Sequence, residues 1–182
     1  HHCGELSDKD IDKQVTLCGW VHTRRDHGGL IFVDLWDKYG LTQVVLNPQI
    51  DHLAHEHAQS IRGNFVIGVV GTVRARPDDM VNPKLQTGKI EVYVDELSIL
   101  NRSETPPISP WEPQDTSEAL RLKYRFLDLR GPELQKNLKI RYDITRVARN
   151  ELHRHGYMEV ETPMLTKSTP EGARDYLVPS RL

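Results

Sequence analysis

The chain has 182 residues, of which 37% are hydrophobic, and it carries 24 Lys and Arg against 26 Asp and Glu. No run reaches the ~18 apolar residues that a membrane span needs, and no charged-then-apolar leader opens the chain, so the sequence predicts a cytoplasmic protein without a membrane segment. Two cysteines exclude a disulfide framework, and a net charge of −2 argues against a general nucleic-acid coat protein.

The charge is distributed unevenly along the chain. Residues 1–100 hold 10 Lys and Arg with 14 Asp and Glu, whereas residues 101–182 hold 14 and 12. Between these parts, Pro106, Pro107, Pro110 and Pro113 remove backbone donors that a helix or a central strand requires. The sequence therefore predicts a domain at 1–100, a linker at 101–114 and a second unit at 115–182.

Apolar alternation with period two indicates five strands in the first unit, at 15–21, 30–36, 41–46, 65–76 and 90–100. A polar stretch at 22–29 is expected to connect the first two strands, and Cys18 is expected to be buried in the first. A short amphipathic helix is predicted from Asp51 to Arg62, ended by Gly63. This order predicts an all-β, five-stranded Greek-key OB barrel with one helix between strands 3 and 4.

After the linker, helical periodicity replaces alternation. A short helix is predicted at 116–124, and Gly131-Pro132 opens a longer one that Gly156 ends. The apolar stripe of the longer helix consists of Ile140, Ile144, Val147, Ala148 and Leu152. A strand is predicted at 157–161. The remaining residues are too few to close a sheet, so we expect the second unit to be the truncated start of an α+β domain.

Candidate binding residues lie on one face of the predicted barrel. Phe32 projects from the second strand, and Arg74 and Arg76 share a face of the fourth because they are two residues apart. An aromatic ring beside guanidinium groups suits a single-stranded nucleic acid, which offers unstacked bases and phosphates. Gln43 and Glu91 could read base edges. The alternative, a core Phe and solvated arginines, stays open.

The sequence contains no catalytic signature of a familiar type: it has no nucleophile elbow, no GxxxxGK[ST] loop and no zinc motif. His52 and His55 have helical spacing, but without a third ligand a surface helix and no metal site are expected. In the second unit, Glu171 lies at the tip of a Pro-Glu-Gly turn. It suits capture of an ammonium group, or it is simply solvated.

At these residues the chain resembles the bacterial-type aspartyl-tRNA synthetases, a class II aminoacyl-tRNA synthetase family. The resemblance rests on VTLCGWV (15–21), RDHGGLIFVDL (25–35), GTVRAR (71–76), RLKYRFLDLR (121–130) and the run that begins ETPMLT (161–181). It implies that the barrel binds the tRNA anticodon and that Phe32 stacks on a base. The residues implied to contact the anticodon nucleotides are Arg25, Gln43, Arg74, Arg76, Asn82 and Glu91.

The resemblance also assigns roles in the second unit. Residues 141–163 correspond to class II motif 1, which forms a homodimer interface with Pro163 near the neighbouring active site. Glu171 would lie in the flipping loop and bind the α-ammonium of aspartate. Motifs 2 and 3, which bind ATP and Mg²⁺ in this family, lie beyond Leu182. This chain is therefore expected to bind tRNA(Asp), without a catalytic residue or bound cofactor of its own.

Two positions in the stretch between the first two predicted strands bear on the resemblance. Thr23 stands where the family usually has Arg, which leaves one phosphate or base contact open. His27 resembles the non-discriminating enzymes, which charge both aspartate and asparagine tRNAs, because a polar ring tolerates either third anticodon base. The alternative is that His27 is simply a polar loop residue.

Two other functions remain open at this point. A sequence-tolerant single-strand-binding OB protein would use the same barrel but would be indifferent to anticodon sequence. A lysine or asparagine enzyme of the same subclass would share the barrel order and differ in the flipping loop, where residues 170–175 favour aspartate. Neither DNA nor a membrane is expected as a partner.

Overall fold

The computed structural model describes residues 1–111, 116–167 and 178–179. The chain divides into two compact units, His1–Pro107 and Ile108–Leu182. The first contains β1 (Gln14–His27), β2 (Leu30–Trp36), β3 (Leu41–Leu46), α1 (His52–Gln59), β4 (Val66–Ala75) and β5 (Ile90–Asn101). The second contains α2 (Glu118–Lys123), α3 (Arg125–Asp128) and α4 (Pro132–Arg154).

The five strands close into a barrel in the order β1-β2-β3-β5-β4. All neighbours are antiparallel except β3 and β5, which run parallel. A helix between the third and fourth strands completes the arrangement of an OB fold. The predicted Greek-key OB barrel is therefore confirmed.

Alternation along β2 separates the inside of the barrel from its outer face. Ile31, Val33 and Leu35 are fully buried and belong to the hydrophobic core. Phe32 is half-buried and lies outside the core cluster. Because successive strand residues point to opposite sides, Phe32 is directed away from the core.

The connection between β1 and β2 is much shorter than the sequence predicts. The strand β1 continues through His27, so only Gly28 and Gly29 form the turn, with φ of 60° and 85°. Two successive residues with positive φ are typical of a two-residue type I′ hairpin turn. Cys18 is exposed, not buried as predicted, because β1 buries the alternate positions Val15 and Leu17.

In the second unit, the buried carboxylate of Asp128 joins α2 and α3. It accepts hydrogen bonds from Arg121 Nε at 2.8 Å and from Arg125 Nη1. The hydrogen bond from Arg121, with support from Arg125, holds the pKa of Asp128 below its ordinary value. The two arginines therefore stabilise the ionised carboxylate where the short helices meet.

The helix α4 begins at Pro132, as predicted, and buries none of its residues within the described part of the unit. The strand predicted at 157–161 does not form among the residues that the structure describes. A strand needs a hydrogen-bonded neighbour, and no described segment pairs with this one. In the described ranges, no helix combines the length and the apolar character needed to cross a membrane.

Candidate nucleic-acid interface

A row of paired residues crosses the outer face of the barrel. Arg25 on β1 pairs with Phe32 on β2, Phe32 pairs with Val45 on β3, and Val45 pairs with Tyr93 on β5. Residues that are directly paired lie on the same face of a sheet. Val45 is buried but is not part of the core cluster, as expected for a member of this outer row. Phe32 therefore has the cation of Arg25 on one side, and the aromatic ring of Tyr93 lies two strands away on the other side.

The next row is polar and converges on Asp34, which is 7% exposed. Asp34 Oδ1 accepts hydrogen bonds from Arg25 Nη2 at 2.9 Å and from Gln43 Nε2 at 3.2 Å. Asp34 Oδ2 accepts a hydrogen bond from Thr23 Oγ1. Charge-assisted hydrogen bonds of this kind compensate a carboxylate for lost hydration. The structure thus brings together the predicted residues Arg25 and Gln43 around a carboxylate to which the sequence assigned no role.

A second polar pair, Arg76 and Glu91, adjoins this cluster, and both residues are largely buried. Arg76 Nε donates a hydrogen bond to the carbonyl oxygen of Ile90 at 3.0 Å and lies 3.9 Å from Glu91 Oε2. Arg76 Nη2 is buried and has no hydrogen-bond partner among the described residues. A buried donor without a partner costs free energy, so an acceptor supplied by a ligand would be bound favourably here.

Burial controls the protonation of this pair. It raises the pKa of Glu91 above its ordinary value, and Arg76 and the Tyr93 hydroxyl oppose that rise. It lowers the pKa of Arg76, which Glu91 and Asp34 oppose. Glu91 and Asp34 both favour the charged form of Arg76, so the two polar clusters influence each other electrostatically.

Arg74 lies on the same face at the end of β4, where it pairs with Glu91 across the strands. Its guanidinium carbon is 4.6 Å from the centroid of the Tyr93 ring, which is a cation–π contact. Arg74 is exposed, whereas Arg76, two residues later, is buried. The two predicted arginines therefore differ: one presents charge to solvent, and the other presents a single buried donor.

Hydrogen bonds with α1 hold the β1–β2 hairpin in place. The Nε2 atom of His55 lies 2.7 Å from the carbonyl oxygen of Gly29, which can only accept a hydrogen bond, so the ring nitrogen donates it. Arg24 Nε also donates a hydrogen bond to the carbonyl oxygen of Ala58 at 3.1 Å. The exposed His27 ring meets Phe32 edge-on, with centroids 6.4 Å apart. His27 and Phe32 thus form a pair of interacting rings next to the β1–β2 turn.

The other predicted residues are placed differently. Asn82 lies in the loop between β4 and β5, where its Oδ1 accepts a hydrogen bond from the backbone of Lys84 at 3.0 Å. Its backbone hydrogen bonds, with Leu85 and Gly88, stay in the same loop, so the role that the structure shows for Asn82 is to shape that loop. Pro163 is exposed and lies outside any helix or strand. Glu171 lies outside the described residues.

The metal interpretation of the histidines on α1 gains no support. Across the described ranges, no group of three His, Cys, Asp or Glu side chains is arranged so that it could hold a metal ion. Two residues of the face, Asp34 and Tyr93, were missed by sequence reasoning. Alternation alone puts them on the outer side of their strands. The register of β2 with β1 and β3 brings Asp34 to Arg25 and Gln43, and the register of β4 with β5 brings Tyr93 to Arg74.

Family models match both units. Residues 15–100 match the OB-fold nucleic acid binding domain, and residues 117–182 match the class II tRNA synthetases (D, K and N). The whole chain is 53% identical to an aspartate–tRNA(Asp/Asn) ligase from Thermoanaerobacter pseudethanolicus and 57% identical to one from Moorella thermoacetica. It spans 31% and 30% of the length of these relatives.

Solved structures have a similar backbone. The asparaginyl-tRNA synthetase from Pyrococcus horikoshii, complexed with asparaginyl-adenylate, superposes with a TM-score of 0.80 at 28% identity. That superposition covers 94% of this chain and 38% of the other. An aspartyl-tRNA synthetase from Entamoeba histolytica gives a TM-score of 0.78 at 20% identity, over 92% of this chain and 40% of that one, which supports the fold alone.

Proposed function

Because the chain belongs to the aspartyl-tRNA synthetase family of class II enzymes, we propose that its barrel binds the anticodon of tRNA(Asp). A longer enzyme that contains this chain would attach L-aspartate to that tRNA. The observation that carries the proposal is the convergence of one aromatic ring and five polar side chains on a single outer face. Those side chains belong to Phe32, Arg25, Gln43, Arg74, Arg76 and Glu91.

Each group on this face has a distinct task in the proposal. Phe32 stacks on an unpaired base, since every base offers a π-face. Glu91 accepts from a base edge, Arg76 Nη2 donates to one, and Gln43 contacts a base edge through its side-chain amide. Arg25 and Arg74 carry positive charge at the rim, where phosphates approach. Asn82 is the least supported member, because its side-chain oxygen already serves its own loop.

We also propose that the barrel accepts tRNA(Asn). His27 lies next to Phe32, so it is placed to meet a base adjacent to the stacked one. A polar ring can interact with different third anticodon bases, whereas a bulky aliphatic side chain would penalise one of them. The relatives from Thermoanaerobacter pseudethanolicus and Moorella thermoacetica are aspartate–tRNA(Asp/Asn) ligases, which supports this proposal.

The second unit is proposed to serve the longer enzyme. The exposed stripe of α4, followed by Pro163, is proposed as the motif 1 surface of a homodimer, and Glu171 as the residue that binds the α-ammonium of aspartate. ATP and Mg²⁺ are proposed as cofactors of the longer enzyme. The cytoplasm is the proposed location, since aminoacylation of tRNA serves translation.

One titration tests the proposal. The chain is titrated at fixed salt with tRNA(Asp) and with the same tRNA carrying a changed middle anticodon base. We expect the changed tRNA to bind more weakly by ~1–3 kcal/mol, which is the discrimination expected from well-placed base contacts. Equal affinity for the two would contradict anticodon recognition and favour a sequence-tolerant single-strand-binding protein.

A further inference from the structure

Asp34 holds side chains from two neighbouring strands at once. Asp34 is largely buried, and its three donors come from Thr23 and Arg25 on β1 and from Gln43 on β3. Because both carboxylate oxygens already accept hydrogen bonds from the protein, Asp34 is not expected to bind a base itself. Two of its donors, however, are residues proposed to touch the anticodon.

We propose that Asp34 is a positioning residue for base recognition, acting through Gln43 and Arg25. The inference rests on the proposed function of the barrel and names a residue to which neither the sequence nor the comparisons give a role. Asp34 fixes the orientation of both side chains before the tRNA arrives. Recognition then depends on a buried carboxylate that itself contacts no base.

The amide of Gln43 shows how this works. An ionised carboxylate only accepts hydrogen bonds, so it requires the NH₂ end of the amide to face it. With Nε2 held at 3.2 Å from Asp34 Oδ1, the amide oxygen of Gln43 points away from Asp34. Gln43 is thereby presented to a ligand as an acceptor, which favours a base with a donor at that edge. Without Asp34, the amide could present either end.

Arg25 gains from the same carboxylate in a different way. Its side chain is long and exposed, and it would lose conformational entropy when a ligand fixes it. The hydrogen bond from Nη2 to Asp34 at 2.9 Å imposes that ordering in the free protein. Thr23 contributes by donating to Asp34 Oδ2, which orients the carboxylate for its other two donors.

The test compares two neighbouring buried aspartates. Asp34→Asn keeps the size of the side chain but replaces one acceptor by a donor. Asp37→Asn is the matched control, because Asp37 is 8% exposed and accepts hydrogen bonds from the backbone amides of Cys3, Tyr39 and Gly40, not from the proposed RNA contacts. Each variant is titrated with tRNA(Asp) and with the middle-base variant, and its thermal melt is recorded.

We expect Asp34→Asn to lower the ratio of the two affinities by about threefold or more, the size of a coupling between contacting residues. Asp37→Asn should leave that ratio unchanged, even if it lowers the melting temperature as much. In an Arg25→Ala, Gln43→Ala background, Asp34→Asn should cause no further loss of affinity for tRNA(Asp). A merely structural role predicts the same further loss in either background.

Three results would overturn the inference. They are an unchanged ratio in folded Asp34→Asn, an equal change in Asp37→Asn, or a full further loss in the double-variant background. If Asp34→Asn does not fold, Thr23→Val replaces it, and an unchanged ratio there overturns the inference as well. If the wild-type chain itself binds both tRNAs equally, anticodon recognition fails too, whereas discrimination that survives Asp34→Asn contradicts only the role of Asp34.

Discussion

The barrel and the helical unit treat their apolar residues in opposite ways. In the barrel, Ile31, Val33 and Leu35 are fully buried. On α4, none of the described residues is buried, and Ile144 is 64% exposed. A closed barrel gives every strand two neighbours and so encloses its inward side chains, whereas one amphipathic helix needs another surface to cover its stripe. The barrel therefore buries its own apolar side chains, whereas the apolar stripe of α4 needs a second surface to cover it.

The largest expected effect tests this contrast with the same substitution in both units. Leu35→Ala should lower the free energy of unfolding by ~2–5 kcal/mol, because it leaves a cavity in the core. Leu138→Ala, on the face of α4 where Leu138 is 43% exposed, should change it by no more than about 0.5 kcal/mol. Urea unfolding is followed by tryptophan fluorescence, in which Trp20 and Trp36 report on the barrel and Trp111 on the second unit, and by far-ultraviolet circular dichroism, which reports on the helices. A large loss for Leu138→Ala that depends on protein concentration would mean that copies of the chain cover the stripe in solution.

The next largest effect is tested by comparing a side chain on the outer face of the barrel, Phe32, with one in its core, Phe65. Phe32→Ala should weaken tRNA binding by ~1–3 kcal/mol through the loss of stacking, with little change in the melting temperature. Phe65→Ala is the matched control, since Phe65 is 6% exposed and belongs to the core, and it should cost about 3–5 kcal/mol of stability. If Phe32→Ala unfolds the chain as Phe65→Ala does, Phe32 is a core residue and the proposed interface loses its stacking platform.

The smallest expected effect tests whether His27 in the barrel influences the preference between tRNA(Asp) and tRNA(Asn). His27→Leu should shift the ratio of affinities for tRNA(Asp) and tRNA(Asn) by about 0.5–1.5 kcal/mol, the net contribution of one hydrogen bond. Lys139→Ala, which removes an exposed charge on α4, should leave that ratio where it was. The measurement is a pair of binding titrations for each variant. An unmoved ratio in His27→Leu would make His27 an ordinary polar residue of the hairpin.

Much of the barrel could be predicted because its strands alternate with period two. The prediction failed at the last residues of β1, where both faces of the strand carry polar side chains. Without apolar alternation, such a charged stretch resembles a loop. It also failed at 157–161, because a segment forms a strand only with a hydrogen-bonded neighbour. The local sequence determines the propensity of a segment to form a strand, but it does not show whether a neighbouring strand is available to pair with it.

The site was predicted in part, and for a related reason. Arg74 and Arg76 could be assigned to one face from their spacing, and both adjoin Glu91 on that face: Arg74 pairs with it across the strands, and Arg76 Nε lies 3.9 Å from Glu91 Oε2. The sequence could not indicate that Arg76 would be buried or that Asp34 would receive hydrogen bonds from β1 and β3. Those facts depend on the register of three strands, which no single stretch of sequence determines.

The Gly28-Gly29 turn has a consequence for variation in this barrel. A Cβ atom added at either glycine would meet nothing within 4 Å, so these positions are constrained by their positive φ and not by crowding. Residues inserted at the tip would extend the hairpin into solvent without displacing the core. The barrel can therefore tolerate a longer loop beside Phe32, so that the length of nucleic acid it covers can change while its architecture stays the same.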